Sequence, residues 1–234
     1  MTARAGLLAA ALLLGTPAAS QEDEDGGSDA MAADLAGDWQ IVPTDGAPAC
    51  TVTLGHVRAL GGWQASAEAL CAATAPAAAG VAGWTFADGM RLLDAKGATL
   101  MRFEEDETAL PASPSVAAPA FYLVPAIPGF ARLRQPAEWE GTWQITAAGQ
   151  KPCVLRFGPP EQRDGLHQGG RVTLQRCRNK ALARMNHWYL EGMQLMLAGP
   201  DDAQIAFAPG GAETHRSDDG RWRLDPWRDP ETQG

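Results

Sequence analysis

The run GDWQI, Gly37 to Ile41, returns as GTWQI, Gly141 to Ile145, and each leads within a dozen residues to a cysteine, Cys50 or Cys153. Working outward, Trp39 answers Trp143, Cys50 answers Cys153, Trp84 answers Trp188 and Phe103 answers Phe207, at offsets of 104, 103, 104 and 104. Cys71 answers Cys177 at 106, the second copy being longer around Gly165 to Gly170, and Met90 of GMRLL answers Met193 of GMQLM at 103. GFARL, Gly129 to Leu133, reads as the partner of GRWRL, Gly220 to Leu224, at an offset of 91. On that alignment the shortfall comes from Glu105 to Phe121, a Pro- and Ala-containing stretch expected to be an inserted loop. So many matched tryptophans and cysteines denote a tandem duplication. A unit of about 100 residues is too long for a solenoid repeat and suits an independent small domain.

Within each copy the apolar runs are short. Trp39–Val42, Cys50–Leu54, Met90–Leu93 and Ala98–Phe103 stand out in the first, and Trp143–Thr146, Cys153–Phe157, Arg171–Leu174, Gln194–Leu197 and Gln204–Phe207 in the second. CTVTL and RVTLQ alternate with the period of two that a half-buried strand requires. Gly/Asp turn signals such as Ala87-Asp88-Gly89 and Gly199-Pro200-Asp201-Asp202 separate the runs at close spacing, the pattern of an antiparallel sandwich or barrel. Closure removes exposed strand edges. The expected fold is therefore all-β: two tandem small up-and-down β-barrels, eight-stranded and lipocalin-like. Helical signals are confined to a turn at Met31–Leu35 and to Lys180–Met185. Trp39, Trp84, Trp143 and Trp188 are expected in the barrel cores, where large aromatics dominate burial.

The first twenty residues read differently. Arg4, the apolar run Ala5 to Leu14 and the small residues up to Ser20 form the pattern of a secretory signal peptide. The run is shorter than the roughly 20 residues a transmembrane helix needs, and the expected cut after Ser20 offers no lipoprotein cysteine. The expected organisation is 1–20 signal peptide, 21–34 acidic N-terminal arm, 35–135 first barrel and 136–228 second barrel, in a periplasmic or secreted monomer. Export makes the cysteines candidates for disulfides. Four cysteines allow three connectivities; duplicated units should carry the same internal bridge, which favours Cys50–Cys71 and Cys153–Cys177 over metal binding.

The net charge of −9 is unevenly placed. Six acids crowd Glu22 to Asp34, whereas Leu35–Gln135 holds nine acids and six bases, and the remainder thirteen and twelve. No basic stripe of the kind nucleic-acid binding needs is present. The four histidines, His56, His167, His187 and His215, show no metal-ligand spacing, and no nucleophile motif occurs. The residues imply neither an enzyme nor a cofactor.

The order ADLAGDWQI, a cysteine after a Gly/Pro turn, a second cysteine about twenty residues on, a central tryptophan, GMRLLDAKGATLMRF and GFARL resembles the bacterial alkaline metalloproteinase inhibitor (Inh) family. The second copy repeats it in WEGTWQI, Cys153, Cys177, Trp188, GMQLMLAGPDDAQIAF and GRWRL. The resemblance implies a periplasmic eight-stranded barrel that inhibits secreted zinc endopeptidases of the serralysin type. It also implies that an extended N-terminal arm enters the protease cleft and approaches the catalytic zinc. The matching residues here are Gln21 to Ala33, led by Gln21, Glu22, Asp23, Glu24 and Asp25. Fully extended, such an arm reaches about 45 Å. Its acidity departs from the family, whose arm is largely uncharged. Carboxylates can ligate zinc, but burying four adjacent charges is costly without partners, and acidic runs of this kind are commonly solvated. Two other functions fit the sequence: a calycin-like binder of an apolar ligand, and a non-inhibitory envelope module. Arg171, Arg176, Arg178, Lys180 and Arg184 distinguish the second copy and would suit an acidic partner.

Overall fold

Alternating apolar and polar residues become strand throughout both repeats in the computed structural model, which describes residues 22–86, 89–106, 109–113, 120–163 and 167–228. The expected signal peptide and Gln21 lie outside the described residues. A helix, α1 (Glu22–Leu35), leads into β1 (Gly37–Pro43), β2 (Cys50–Ala59) and β3 (Gly62–Ala67). A short helix, α2 (Cys71–Thr74), and a 3-10 turn at Pro76–Gly80 precede β4 (Gly83–Phe86), β5 (Met90–Leu93), β6 (Thr99–Asp106), β7 (Ala109–Ala112) and β8 (Phe121–Pro125). These eight strands form a closed antiparallel barrel, β8 pairing back on β1.

A 3-10 turn at Pro136–Trp139 opens the second copy. It continues as β9 (Gly141–Thr146), β10 (Cys153–Phe157), β11 (Glu161–Arg163), β12 (His167–Arg176), β13 (His187–Glu191), β14 (Gln194–Ala198), β15 (Gln204–Pro209), β16 (His215–Ser217) and β17 (Arg223–Pro226). The pairing of β10 with both β9 and β12 closes eight of these nine strands into a second barrel, with β11 flanking on β12. Here β10 and β11 together match β2. Pro159 and Pro160 interrupt the ladder where the first copy only shifts register, between Leu54 and Arg58.

Register corrects two parts of the sequence alignment. Met90 pairs with Phe103 and Leu92 with Trp84, as Leu195 pairs with Phe207 and Leu197 with Trp188, so Met90 answers Leu195 and not Met193. Trp39 pairs with Pro125 and Ile41 with Leu123, as Trp143 pairs with Pro226 and Ile145 with Leu224. The closing strand of the first copy is thus FYLVP, aligned with WRLDP at an offset of 101, and not GFARL. Part of the stretch expected to be an inserted loop is β7, which pairs with β6. GFARL has no counterpart among the described residues of the second copy. It lies beyond the closing strand, where Ala49 N–H donates to the Ala131 carbonyl (2.8 Å).

Both interiors are filled. Trp84, Phe103, Leu54, Leu92 and Leu123 are fully buried in the first barrel, and Trp188, Phe157, Phe207, Leu155 and Ile145 in the second. The indole N–H of Trp84 donates to the Gly55 carbonyl (2.7 Å) and that of Trp188 to the Gly158 carbonyl (3.3 Å), so each central tryptophan satisfies its one donor at the same place. Trp39 is only partly buried against the core. Gly62 and Gly169 hold matching positions where strands approach closely, and a Cβ would fall 2.1 and 2.0 Å from the carbonyl oxygens of Trp84 and Trp188. The bridges are Cys50–Cys71 and Cys153–Cys177, with Cα separations of 5.1 and 4.3 Å.

Candidate functional site

The sequence places the interaction site at the N-terminus, and the backbone there is helical rather than extended. Glu22 to Asp25 form the start of α1, whose 14 residues span about 21 Å. Sequence reasoning expected only a turn at Met31–Leu35. Two causes carry the helix further: acids at a helix start favour its dipole, and one face docks on the barrel. Ser28, Met31, Ala32 and Leu35 recur at helical spacing and are the half-buried or buried positions, Ala32 wholly so.

Asp29 fixes the docking. Its carboxylate accepts from the Trp63 indole N–H (3.2 Å) and lies 2.6 Å from Arg58 Nε, while the Arg58 guanidinium sits over the Trp63 ring at 4.8 Å. The indole bond and the guanidinium hold the Asp29 carboxyl below the usual carboxylate range. At the other end of the helix, the Trp39 indole N–H donates to the Leu35 carbonyl (2.9 Å). The second barrel repeats this contact: the Trp143 indole N–H donates to the Trp139 carbonyl, also at 2.9 Å. The last turn of α1 is therefore the counterpart of the 3-10 turn at Pro136–Trp139, and the first barrel alone carries the longer helix ahead of it.

Asp29, Arg58 and Trp63 form no motif in the sequence. Asp29 belongs there to the acidic run, and Trp63 has no tryptophan counterpart: it and Gly170 occupy the same register position, each opposite the central tryptophan of its barrel. Gly26 and Gly27 fall between the acidic turn and the Asp29 anchor. Of the basic residues that mark the second copy, Arg184 pairs with Asp201 (2.8 Å), and Arg171, Arg176, Arg178 and Lys180 are exposed. Among the described residues no group of three or more His, Cys, Asp or Glu is placed to hold a metal ion. Nor, among them, is any helix long and apolar enough to cross a membrane.

These features define a class: a filled antiparallel barrel, bridged by one disulfide, with a helical N-terminal segment clamped to its side, here followed by a second barrel of the same topology. Residues 29–113 match the family model described as Inh, protease inhibitor Inh. The match begins at the anchor Asp29 and runs through β7, so the Inh resemblance holds for the first barrel, and the second repeats its strand pairing. No curated protein matches the chain. Protease inhibition is the general function this match supports, with a protease as the partner class. Two disulfides are compatible with a secreted or periplasmic protein.

Proposed function

We propose that the protein inhibits zinc metalloendopeptidases of the serralysin type in the periplasm or after secretion, and that the N-terminal segment Gln21 to Gly27 is the element that enters the protease. The observation that carries this reading is the Inh match starting at Asp29. The residues that would approach the protease lie immediately ahead of it. Two glycines in a helix cost about 1 kcal/mol each relative to alanine, so Gly26 and Gly27 make the segment ahead of Asp29 the weak part of α1. Unwinding from the chain end to Gly27 leaves the Asp29–Trp63–Arg58 contacts and the Ala32 face in place. The seven residues released reach about 24 Å when extended, and the barrel holds their base in a fixed pose, which limits the ordering cost of binding. Glu22, Asp23, Glu24 and Asp25 then supply carboxylates to a zinc-bearing cleft with a basic rim. The filled interiors argue against the alternative of an apolar ligand carried inside a barrel.

The experiment is a titration of the processed protein against a purified serralysin-type protease with a peptide substrate, beside a variant lacking Gln21–Gly27. Inhibition by the intact protein and its loss in the shortened one, with unchanged thermal unfolding, is the expected result. Equal inhibition by both would remove the segment from the mechanism; inhibition by neither would remove the protease class.

A further inference from the structure

Between the GFARL segment and the second barrel lies a cavity of about 200 Å³, lined among others by Phe130, Leu133, Arg134, Trp139, Met193 and His215. It contains a polar anomaly. His215 is 7% exposed and Trp139 2% exposed, and their rings are 4.7 Å apart. Among the described residues neither His215 Nδ1 nor Trp139 Nε1 has a hydrogen-bond partner of good geometry, although the Glu213 backbone acts on the imidazole. Buried polar groups are nearly always satisfied, so two adjacent orphans require an explanation.

The first barrel isolates what is special here. By register, Ala112 pairs with Glu104 and Tyr122 as Arg216 pairs with Ala208 and Arg223, which makes Pro111 the counterpart of His215. Leu35 is the counterpart of Trp139, as their matching contacts to Trp39 and Trp143 show. Two positions that are apolar in one copy are thus an indole and an imidazole in the other, beside the GFARL segment.

A cation completes the set. The half-buried Arg134 guanidinium lies over the Trp139 and Trp143 rings at 5.5 and 5.1 Å. It donates to the Glu138 carbonyl (3.2 Å) and makes no direct ion pair among the described residues: Glu138 pairs with Arg132 and Glu213 with Arg228, and both act on Arg134 only through their charge. A guanidinium without a directly bonded carboxylate, an indole N–H and an imidazole nitrogen converge beside an apolar wall of Phe130, Leu133 and Met193.

We propose that this cavity is a binding site for a carboxylate carried on a small apolar body, either a free organic acid or the C-terminal residue of a peptide. A shift of the Arg134 side chain off the indole faces admits the carboxylate, which pairs with the guanidinium and accepts from Trp139 Nε1 and His215 Nδ1. The apolar body lies on Phe130, Leu133 and Met193. The volume limits the ligand to a single ring or side chain, below the usual 300 Å³ of a drug-sized site.

The test uses the full disulfide-bonded protein and four probes: phenylacetate, phenylacetamide, acetyl-Gly-Phe with a free terminus, and the same dipeptide as its amide. Calorimetry measures affinity, and the nitrogen-15 indole resonance of Trp139 reports the site. Expected are saturable binding of at least one acid with a shift of the Trp139 signal, and binding about tenfold or more weaker for the matching amide. Preference for phenylacetate identifies a free acid, and preference for the dipeptide a chain terminus. Arg134→Gln and His215→Phe are expected to weaken binding about tenfold or more. If either variant fails to fold, the Trp139 shift in the unaltered protein decides. No saturation at millimolar acid, equal binding of acid and amide, or a cavity holding ordered water only would each overturn the proposal.

Discussion

Asp29 on α1 and His215 on β16 are two residues whose protonation the fold shifts, one in each half of the chain. The Trp63 indole bond and Arg58 lower the Asp29 carboxyl. A carboxylate lowered on folding stabilises the folded state fully above its unfolded value, near 3.9, and loses that contribution as pH falls through the folded value. The helix clamp is therefore intact at neutral and mildly acid pH. Asp29→Asn is expected to speed amide hydrogen exchange over residues 30–35 at pH 7, and the difference should vanish once acid protonates the wild-type carboxyl. His215 behaves in the other sense. Burial, followed by the Arg134 charge, lowers its imidazole to about 4, with the Glu213 backbone and Asp225 opposing. Above pH 6.5 the ring is neutral in both folded and unfolded chains. As pH falls from 6.5 toward 4 the unfolded chain takes up the proton first, and stability drops. Between pH 7 and pH 4.5 this is worth about 2–3 kcal/mol. Urea melts at the two pH values should show that loss in the wild type, and a smaller one in His215→Phe.

At the scale of elements, the strands with strong alternation were legible in the sequence, and those without it were not. Cys50–Leu54, Arg171–Leu174 and Gln204–Phe207 all lie within observed strands because their apolar faces alternate. β7, Ala109–Ala112, carries no such signal, since alanine and proline favour no strand by themselves. GFARL mimics GRWRL through a glycine, arginine and leucine at the same positions, whereas strand identity is set by pairing register, which a five-residue match does not contain. The longer α1 was hidden by the acidic run and Gly26-Gly27, which read as a solvated leader; docking of Met31, Ala32 and Leu35 outweighs that local preference. Within the site, the acidic tip was visible from the resemblance, but the Asp29–Trp63–Arg58 clamp joins residues up to 34 positions apart and leaves no local pattern. The repeated cysteine spacing did carry its message into the two bridges, which close comparable loops, yet their surroundings differ. Cys50 and Cys71 are both wholly buried, whereas Cys177 is only half-buried beside Cys153. Exchange requires access to a sulfur. Under limiting reductant, Cys153–Cys177 should open first, as read by differential alkylation and mass spectrometry. Removing either bridge by paired Cys→Ala substitution is expected to lower stability by about 3 kcal/mol.

At the scale of the whole molecule, the described residues form three apolar clusters, one inside each barrel and a third that belongs to neither. The third gathers Val42, Ala49 and Val124 from the outside of the first barrel, Phe130 from the GFARL segment and Met193 from the second barrel. Gln40 pins the same segment: its Nε2 donates to the Phe130 carbonyl and its Oε1 accepts from the Ile127 N–H, both at 3.1 Å. The separate interiors lead us to expect that each barrel folds alone when the chain is divided near Gln135-Pro136. The junction cluster adds that neither fragment will match the stability it has in the intact chain. Phe130 is the residue through which the coupling can be measured, because it is 9% exposed and lies in neither barrel's core. Truncating a buried phenylalanine costs about 3–5 kcal/mol, and here that loss falls on the junction. Calorimetry of the intact protein is expected to show one transition whose van't Hoff and calorimetric enthalpies agree. In Phe130→Ala the barrels lose their common cluster while keeping their own, so two transitions should replace the one. A variant that still melts in a single transition, with the same ratio of enthalpies, would show that the barrels are coupled by something other than this cluster.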